Sequence, residues 1–309
     1  MTVSVYVPAA LSLLLAAISR IVVARTAPTR AAAFVVAAML CASAATWGLV
    51  LLAATLLGNT SLVAEEASAR GVELQDPVPA LIGVVAAVLL IFGAVRVVRV
   101  LRARRATLRE LQTVCRSCGD GELAVVALDA PHAFAVPGRP GRILITRGLL
   151  SVLDGDERRV VLIHERAHLQ GRHHWLRAAT DVCAAVNPVL IPVREAVAFL
   201  LERCADEHAA AVTGSRALVA QALTKVALAG PTGGTEPTNS TPGRTFTWPA
   251  VLAFAGCGVS ARVAALHSDP PRPEPLVPSG VVALGVATAV AAIQATIAFL
   301  QLIYWLWPA

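Results

Sequence analysis

The residues with the clearest potential for chemistry form the pattern H-E-x-x-H, which consists of His164, Glu165 and His168. Positions four apart on an α-helix lie on one face, so both imidazoles can reach one metal ion. Zinc accepts neutral imidazole nitrogens in a tetrahedral site. Glu165 lies beside the first ligand, where it can take a proton from a bound water. Chance gives only about 0.006 such patterns in a chain of this composition, so the pattern predicts a catalytic zinc centre.

A catalytic zinc needs three protein ligands, and the third is expected on a helix downstream of the motif. Glu202 and Asp206 have the spacing E-x-x-x-D, which places both carboxylates on one helix face. One carboxylate can bind the metal while the other accepts a hydrogen bond from a ligand imidazole and fixes its tautomer.

Other side chains with ligand or donor atoms are predicted to be structural or exposed: His173, His174, Cys204 and His208. The two tyrosines of the chain lie in apolar segments, so a side-chain oxyanion donor has to be His208, His267 or an arginine. Cys115 and Cys118 form a lone C-x-x-C, which favours packed or exposed thiols over a metal site.

Two helices are predicted to carry the candidate site. Residues 157–170 are expected to form the first, with a capping-box-like start at Asp154 and Glu157 and a stop at Gly171. The second covers about 194–213 and carries the two downstream carboxylates.

Strands are predicted at 123–128 and 142–146, where short β-branched runs are bounded by turn residues. An extended substrate is expected to pair with an edge strand near 142–146. The broken apolar stretch 178–193 is expected to be buried or to lie at the membrane surface. Residues 229–248 are rich in Gly, Pro, Thr and Ser, which predicts a flexible loop.

The composition indicates a membrane protein. Hydrophobic residues make up 56% of the 309 residues and charged residues 15%, against roughly 45–50% and 25% in soluble proteins. Intrinsic disorder is thereby excluded, and a fully water-soluble globule is disfavoured. Four apolar stretches are long enough for transmembrane helices, near 4–25, 34–58, 79–101 and 279–306. The predicted domains are 1–102 with three transmembrane helices, a globular domain at 103–275, and 276–309 with the fourth transmembrane helix.

Flanking charges predict the orientation, because arginine-rich flanks stay in the cytoplasm. Arg20, Arg25 and Arg30 follow the first span, acidic residues follow the second, and six arginines follow the third. The domain at 103–275 is therefore expected in the cytoplasm of a multi-pass cell-membrane protein, with both termini outside. Arginine supplies 25 of the 26 basic residues, and beside apolar runs they favour contact with the lipid bilayer over nucleic acid.

The residues at 164, 165, 168, 202 and 206, with Asn187-Pro188 between them, resemble the gluzincin membrane peptidases. Two branches compete. The BlaR/MecR-type regulatory metallopeptidases have three spans before the catalytic domain and one after it, whereas the HtpX/CAAX-protease-like peptidases have two and two. The three-plus-one layout resembles the BlaR/MecR-type branch. No penicillin-binding sensor domain follows the last span, so β-lactam sensing is not expected.

The resemblance implies an α-helical integral membrane protein with four transmembrane helices and an α+β zincin-like cytoplasmic peptidase domain. His164, His168 and Glu202 would bind Zn²⁺, Glu165 would be catalytic, and Asp206 would support a ligand. The implied function is regulatory proteolysis of a protein substrate, either a BlaI/MecI-like transcriptional repressor or the chain itself. One alternative is HtpX/CAAX-like quality control of membrane proteins. Another is an inactive membrane adaptor with a structural zinc site.

Overall fold

A computed structural model describes residues 2–23, 26–58, 65, 69, 79–229, 258–269 and 276–306. The helices are α1 (Thr2–Val22), α2 (Ala31–Gly58), α3 (Ala80–Ser117), α4 (Arg147–Val152), α5 (Gly155–Gln170), α6 (His173–Val186), α7 (Ile191–Thr213), α8 (Arg216–Ala229), α9 (Val259–His267) and α10 (Leu276–Leu306). The strands are β1 (Leu123–Val126), β2 (Ala133–Val136) and β3 (Arg142–Thr146). The predicted flexible loop at 229–248 lies almost entirely outside the described residues.

The chain divides into two compact units. The first comprises Met1–Arg102, Leu176–Val197 and Pro273–Ala309, and the second comprises Ala103–Trp175 and Ala198–Arg272. The predicted domain boundaries remain a prediction.

Helices α1, α2 and α10 pack against one another in the first unit. Small residues allow close approach: a Cβ added at Gly285 of α10 would lie 3.4 Å from the Cα of Ala37 in α2. The indole Nε1 of Trp47 also donates a hydrogen bond of 2.5 Å to Thr296 Oγ1. Small residues and polar side-chain bonds of this kind hold helices together in a bilayer, where lipid leaves no hydrophobic driving force between them.

Two segments among the described residues are long and apolar enough to cross a membrane, Pro28–Leu56 and Ala80–Ser117. The apolar parts of α1 and α10, Val7–Ile21 and Val282–Ile297, are shorter. All four predicted spans are helical, but length and composition support a crossing for two of them. These two helices support a membrane protein, and the count of four spans stays a prediction.

Helix α3 does not end at the predicted boundary near 101 but continues to Ser117. The reason is packing in the second unit, where Leu111 and Cys115 of α3 are buried against Ala124, Val136 and Leu144 of the sheet. The helix therefore changes along its length from an apolar segment to an amphipathic one that covers one face of the sheet.

The sheet has the order β1-β3-β2, with β1 parallel and β2 antiparallel to β3. The prediction that 142–146 forms an edge strand is wrong, because β3 pairs on both sides. Strand β2 was not predicted from the sequence, and it is one of the two edges. The segment has only four residues, Ala-Phe-Ala-Val, and is too short and too rich in alanine to give a clear strand signal.

The predicted helix of the H-E-x-x-H motif is confirmed. Helix α5 begins with a capping box in which the Asp154 carboxylate accepts from Glu157 N and the Glu157 carboxylate accepts from Asp154 N, both at 3.0 Å. Glu157 is fully buried and also contacts Gln221 at 2.9 Å and Lys225 at 2.5 Å, both on α8. Helix α7 confirms the predicted second helix and begins three residues earlier than predicted.

Candidate metal centre

The structure brings the three predicted ligands together. The Nε2 atoms of His164 and His168 are 3.1 Å apart. One Glu202 oxygen lies 3.6 Å from His164 Nε2, and the other lies 3.7 Å from His168 Nε2. Ligand atoms about 2.0–2.1 Å from a tetrahedral zinc ion are roughly 3.3 Å from one another. The donor set therefore fits zinc in both chemistry and spacing.

Within the described part of the chain, these three residues form the one group of possible ligands close enough to share an ion, with one donor atom from each lying within 4.8 Å of the others. The group does not include Cys115 or Cys118. Cys115 is buried in the cluster between α3 and the sheet, and Cys118 packs against the same cluster. The two thiols thus have a packing role, as the lone C-x-x-C favoured.

Asp206 lies where the sequence predicted a supporting carboxylate. Its Oδ1 is 3.0 Å from Nδ1 of His164, the ring nitrogen that does not face the other ligands. A carboxylate at this nitrogen keeps a proton there, which leaves Nε2 free to bind a metal. Asp206 and Glu202 are one helical turn apart on α7, so one helix supplies both a ligand and the support of another ligand.

Arg262 on α9 completes the polar cluster and was not singled out from the sequence. Its guanidinium donates two hydrogen bonds of 2.7 Å to the Asp206 carboxylate. A third nitrogen lies 3.2 Å from Glu202. Because its donors are directed at these two carboxylates, Arg262 orients them rather than serving as a free oxyanion donor.

The buried charges of this cluster compensate one another. Burial alone would raise the pKa of Asp206, but hydrogen bonds from Arg262 and His164 hold it below its ordinary value. Against the same effect of burial, His164, His168 and Arg262 hold the pKa of Glu202 well below its ordinary value. Both carboxylates therefore remain ionised and able to act as acceptors or ligands.

Glu165 differs from these carboxylates, because burial raises its pKa above the ordinary value and the Glu202 charge adds to the effect. The Ala135 amide of β2 donates a hydrogen bond to it. Glu165 lines the same cavity as His164 and Glu202. It is therefore a carboxylate with increased proton affinity beside the candidate metal centre, as a general base requires.

Of the histidines outside the motif, His132 lines the cavity that holds Glu165 and was not singled out from the sequence. His208 and His267 are exposed, and they do not line the cavity that holds Glu165. His173, by contrast, is buried, with its Nδ1 atom 2.8 Å from Nδ1 of His168. His173, which was predicted to be structural or exposed, is thus a buried residue whose ring contacts a predicted ligand. It is the first residue of α6, and the turn before it directs its ring back toward α5.

A cavity of about 160 Å³ adjoins the metal centre. Its polar side is formed by six side chains: His132, His164, Glu165, Glu202, Asp206 and Arg262. The remainder of its lining is mostly apolar, and it comes mainly from β2, α4, α5, α8 and the start of α9: Ala133, Phe134, Leu149, Val160, Val161, Val219, Ala222, Leu223, Val226, Ala227 and Val259. Engineered cavities of about 150 Å³ with apolar walls hold a benzene ring, so this one can hold a single large apolar side chain.

The affinity of the metal-free protein for zinc should rise with pH. Burial favours the neutral form of His164, but hydrogen bonds to Asp206 and Glu202 outweigh it and raise its pKa to about 10. Zinc binds the neutral imidazole, so binding near neutral pH must release this proton. Between pH 6 and 8 we expect about a tenfold gain in affinity for each pH unit, measured by chelator competition. A pH-independent affinity would contradict the protonated state of His164.

Comparison with known proteins identifies a related segment. Residues 102–191 match the model of peptidase family M48; they include α5 with His164 and His168 and end before Glu202. The "Protease HtpX homolog" of Aquifex aeolicus (strain VF5) is 40% identical over 53 residues. The aligned part covers 16% of this chain and 18% of that curated relative, so less than a fifth of the relative is matched. No solved structure matches the chain. Over its central segment, the chain is thus similar to a family of peptidases.

Proposed function

We propose that this protein is a membrane-anchored, zinc-dependent endopeptidase. The observation that carries the proposal is the convergence of two imidazole nitrogens and a carboxylate oxygen within 4.8 Å, with Glu165 in the adjoining cavity. The match of residues 102–191 to a peptidase family supports the proposal. A structural zinc site usually closes its fourth position with a further ligand, whereas this group has three members and faces a cavity.

The chemistry follows from the roles of the side chains. A zinc ion held by His164, His168 and Glu202 would acidify water and polarise a carbonyl group. Glu165 takes a proton from the attacking water and later gives it to the leaving amine. Its raised pKa suits both transfers, because a base whose pKa lies nearer neutrality accepts and releases protons readily. Asp206 and Arg262 hold the ligands in place during these transfers.

Substrate would bind along β2 and into the apolar cavity. Strand β2 is an edge of the sheet and borders the cavity through Ala133 and Phe134. An extended peptide can add to such an edge by main-chain hydrogen bonds while one side chain enters a neighbouring pocket. The size and lining of the cavity favour a large apolar side chain next to the scissile bond.

The cut sites should appear as new protein termini in membranes that contain the wild-type protein. The same termini should be missing from membranes that contain the Glu165→Gln variant. We expect a residue such as Leu, Val or Phe to be enriched at one position beside the cut. Replacing it by Ala in a synthetic peptide should lower kcat/KM about tenfold or more, since one methylene in such a pocket already changes binding severalfold.

Ala227→Phe should narrow the cavity and shift this preference toward smaller side chains, because Ala227 is exposed at its rim. Leu228→Phe is the matched control, since Leu228 is 77% exposed and does not line the cavity. Cut sites with no preference for apolar residues would contradict the assignment of this cavity.

The identity of the cut proteins separates two candidate roles. The three-plus-one layout of apolar helices favours regulatory proteolysis, in which the chain cuts a transcriptional repressor or itself. The similarity to an HtpX homologue favours quality control, in which many unrelated membrane proteins are cut. One soluble DNA-binding substrate or self-cleavage would support the first role, and a broad set of membrane proteins would support the second.

A reporter fused after Thr107 should be cytoplasmic, and one inserted at Ala69 should be extracytoplasmic. The physical reason is the run of arginines at the end of the apolar part of α3, which resists translocation: Arg96, Arg99, Arg102, Arg104, Arg105 and Arg109. A glycosylation or alkaline-phosphatase reporter checks both positions. The opposite pattern would place the active site outside the cell and exclude a cytoplasmic repressor as substrate.

A further inference from the structure

The two histidines of the candidate metal centre have different partners at their Nδ1 atoms. Nδ1 of His164 faces the Asp206 carboxylate at 3.0 Å, whereas Nδ1 of His168 faces Nδ1 of His173 at 2.8 Å. The rings of His168 and His173 meet edge to face, with centroids 4.8 Å apart and an angle of 82° between their planes. His173 is only 6% exposed. One ligand thus has an ionised partner and the other has an imidazole.

The hydrogen-bonding capacity of imidazole determines which nitrogen carries each proton. His168 directs Nε2 toward the other ligands, so in a metal complex its proton must be on Nδ1. That N–H can donate to Nδ1 of His173 only if Nδ1 of His173 is unprotonated. His173 therefore acts as a neutral acceptor with its own proton on Nε2. It holds the tautomer of His168 without adding negative charge beside Glu202 and Asp206.

The turn between α5 and α6 is shaped to place His173 there. Arg172 has a left-handed backbone with φ of +49°, a conformation that non-glycine residues adopt only rarely. A Cβ at Gly171 would lie 2.5 Å from Nε2 of His173 and 3.1 Å from the Ala167 carbonyl oxygen. A side chain at 171 would therefore require the His173 ring or the backbone of the turn to shift. Glycine at 171 leaves room for this contact.

We propose that His173 is a positioning residue of the metal centre, which orients His168 and fixes its tautomer, and that Gly171 is required for this contact. The inference rests on the proposed zinc site but not on the reaction that the site performs. A partner of this kind typically contributes a factor of ten to a hundred to metal affinity. The turn would thus be part of the site although it supplies no ligand.

The test measures zinc affinity by chelator competition in the full-length, detergent-solubilised protein that carries Glu165→Gln, so that cleavage does not interfere. His173→Ala should lower the affinity about ten- to a hundredfold. His173→Asn should restore much of it, because the amide oxygen can replace Nδ1 as acceptor. Gly171→Ala should lower affinity by a similar factor without touching any ligand. His174→Ala is the matched control, with no expected change.

A second readout is the visible spectrum of the cobalt-substituted protein, which reports ligand geometry. It should change in His173→Ala and Gly171→Ala and return toward the parent spectrum in His173→Asn. Parent-like affinity in His173→Ala, or a loss in His173→Asn equal to that in His173→Ala, would overturn the proposal. If the affinities follow the expected pattern but wild-type protein cleaves no peptide, the positioning role stands and the proposed peptidase function fails.

Discussion

Glu165→Gln should reduce peptide-bond cleavage by at least about a hundredfold while zinc stays bound. The amide has almost the same size as the carboxylate but cannot accept a proton from the attacking water. Glu165 is not among the three grouped ligands, so the metal should remain. Zinc content and cleavage are measured on the same preparation. Glu195→Gln is the matched control, because this carboxylate is 56% exposed and lies outside the cavity.

Asp206→Asn gives the contrasting result and separates a peptidase from an inactive adaptor. The base is intact, but the support of His164 is weakened, so metal affinity should fall about ten- to a hundredfold. Added zinc should then restore part of the activity. An adaptor would show no loss of cleavage in Glu165→Gln and no recovery of activity with added zinc in Asp206→Asn, because its phenotype would follow its abundance. Full activity in Glu165→Gln would end the peptidase proposal.

Arg262→Ala should destabilise the metal-free protein by about 3–5 kcal/mol, the usual cost of removing one partner from a buried ion pair. Arg262 is 4% exposed and holds Asp206 through two hydrogen bonds of 2.7 Å. Its removal leaves the buried Asp206 carboxylate and the partly buried Glu202 carboxylate without this guanidinium. Thermal unfolding in detergent, with chelator present, measures the loss.

Arg216→Ala is the control for this change. Arg216 contacts Glu207 at 2.6 Å in the same unit, and the two side chains are 22% and 25% exposed. A partly solvated pair of this kind contributes about 1 kcal/mol or less. If Arg262→Ala costs no more stability than Arg216→Ala, the charge compensation assigned to Arg262 is wrong.

The helix of the motif could be predicted from the sequence because all its signals are local. Spacing of four residues defines the face that holds His164 and His168, and the capping box links Asp154 to Glu157 only three residues away. The same holds for Glu202 and Asp206, which share a face by spacing alone. Local patterns were therefore sufficient for the ligands and for the helices that carry them.

The supporting residues could not be predicted in this way. Arg262 is 56 residues from Asp206 in sequence, and a single arginine among apolar residues carries no signal of its partner. His173 follows the end of α5 in the sequence, which does not indicate a contact with His168. The left-handed turn at Arg172 that makes this contact possible has no clear sequence signature. The strand order could not be predicted, because β2 has only four residues and no clear strand signal.

If the proposed peptidase function holds, the brevity of β2 also determines which proteins can be cut. Alternate residues of an antiparallel strand direct their main-chain groups to opposite sides. The amide of Thr146 on β3 donates to the carbonyl of His132, so Ala133 and Ala135 face outward. The Ala135 amide bonds Glu165, which leaves little of the edge for a substrate backbone. A locally unfolded stretch of a few residues would be enough to pair with the free part of this edge. The folding state of a protein would therefore limit its cleavage more than the presence of a long consensus sequence would.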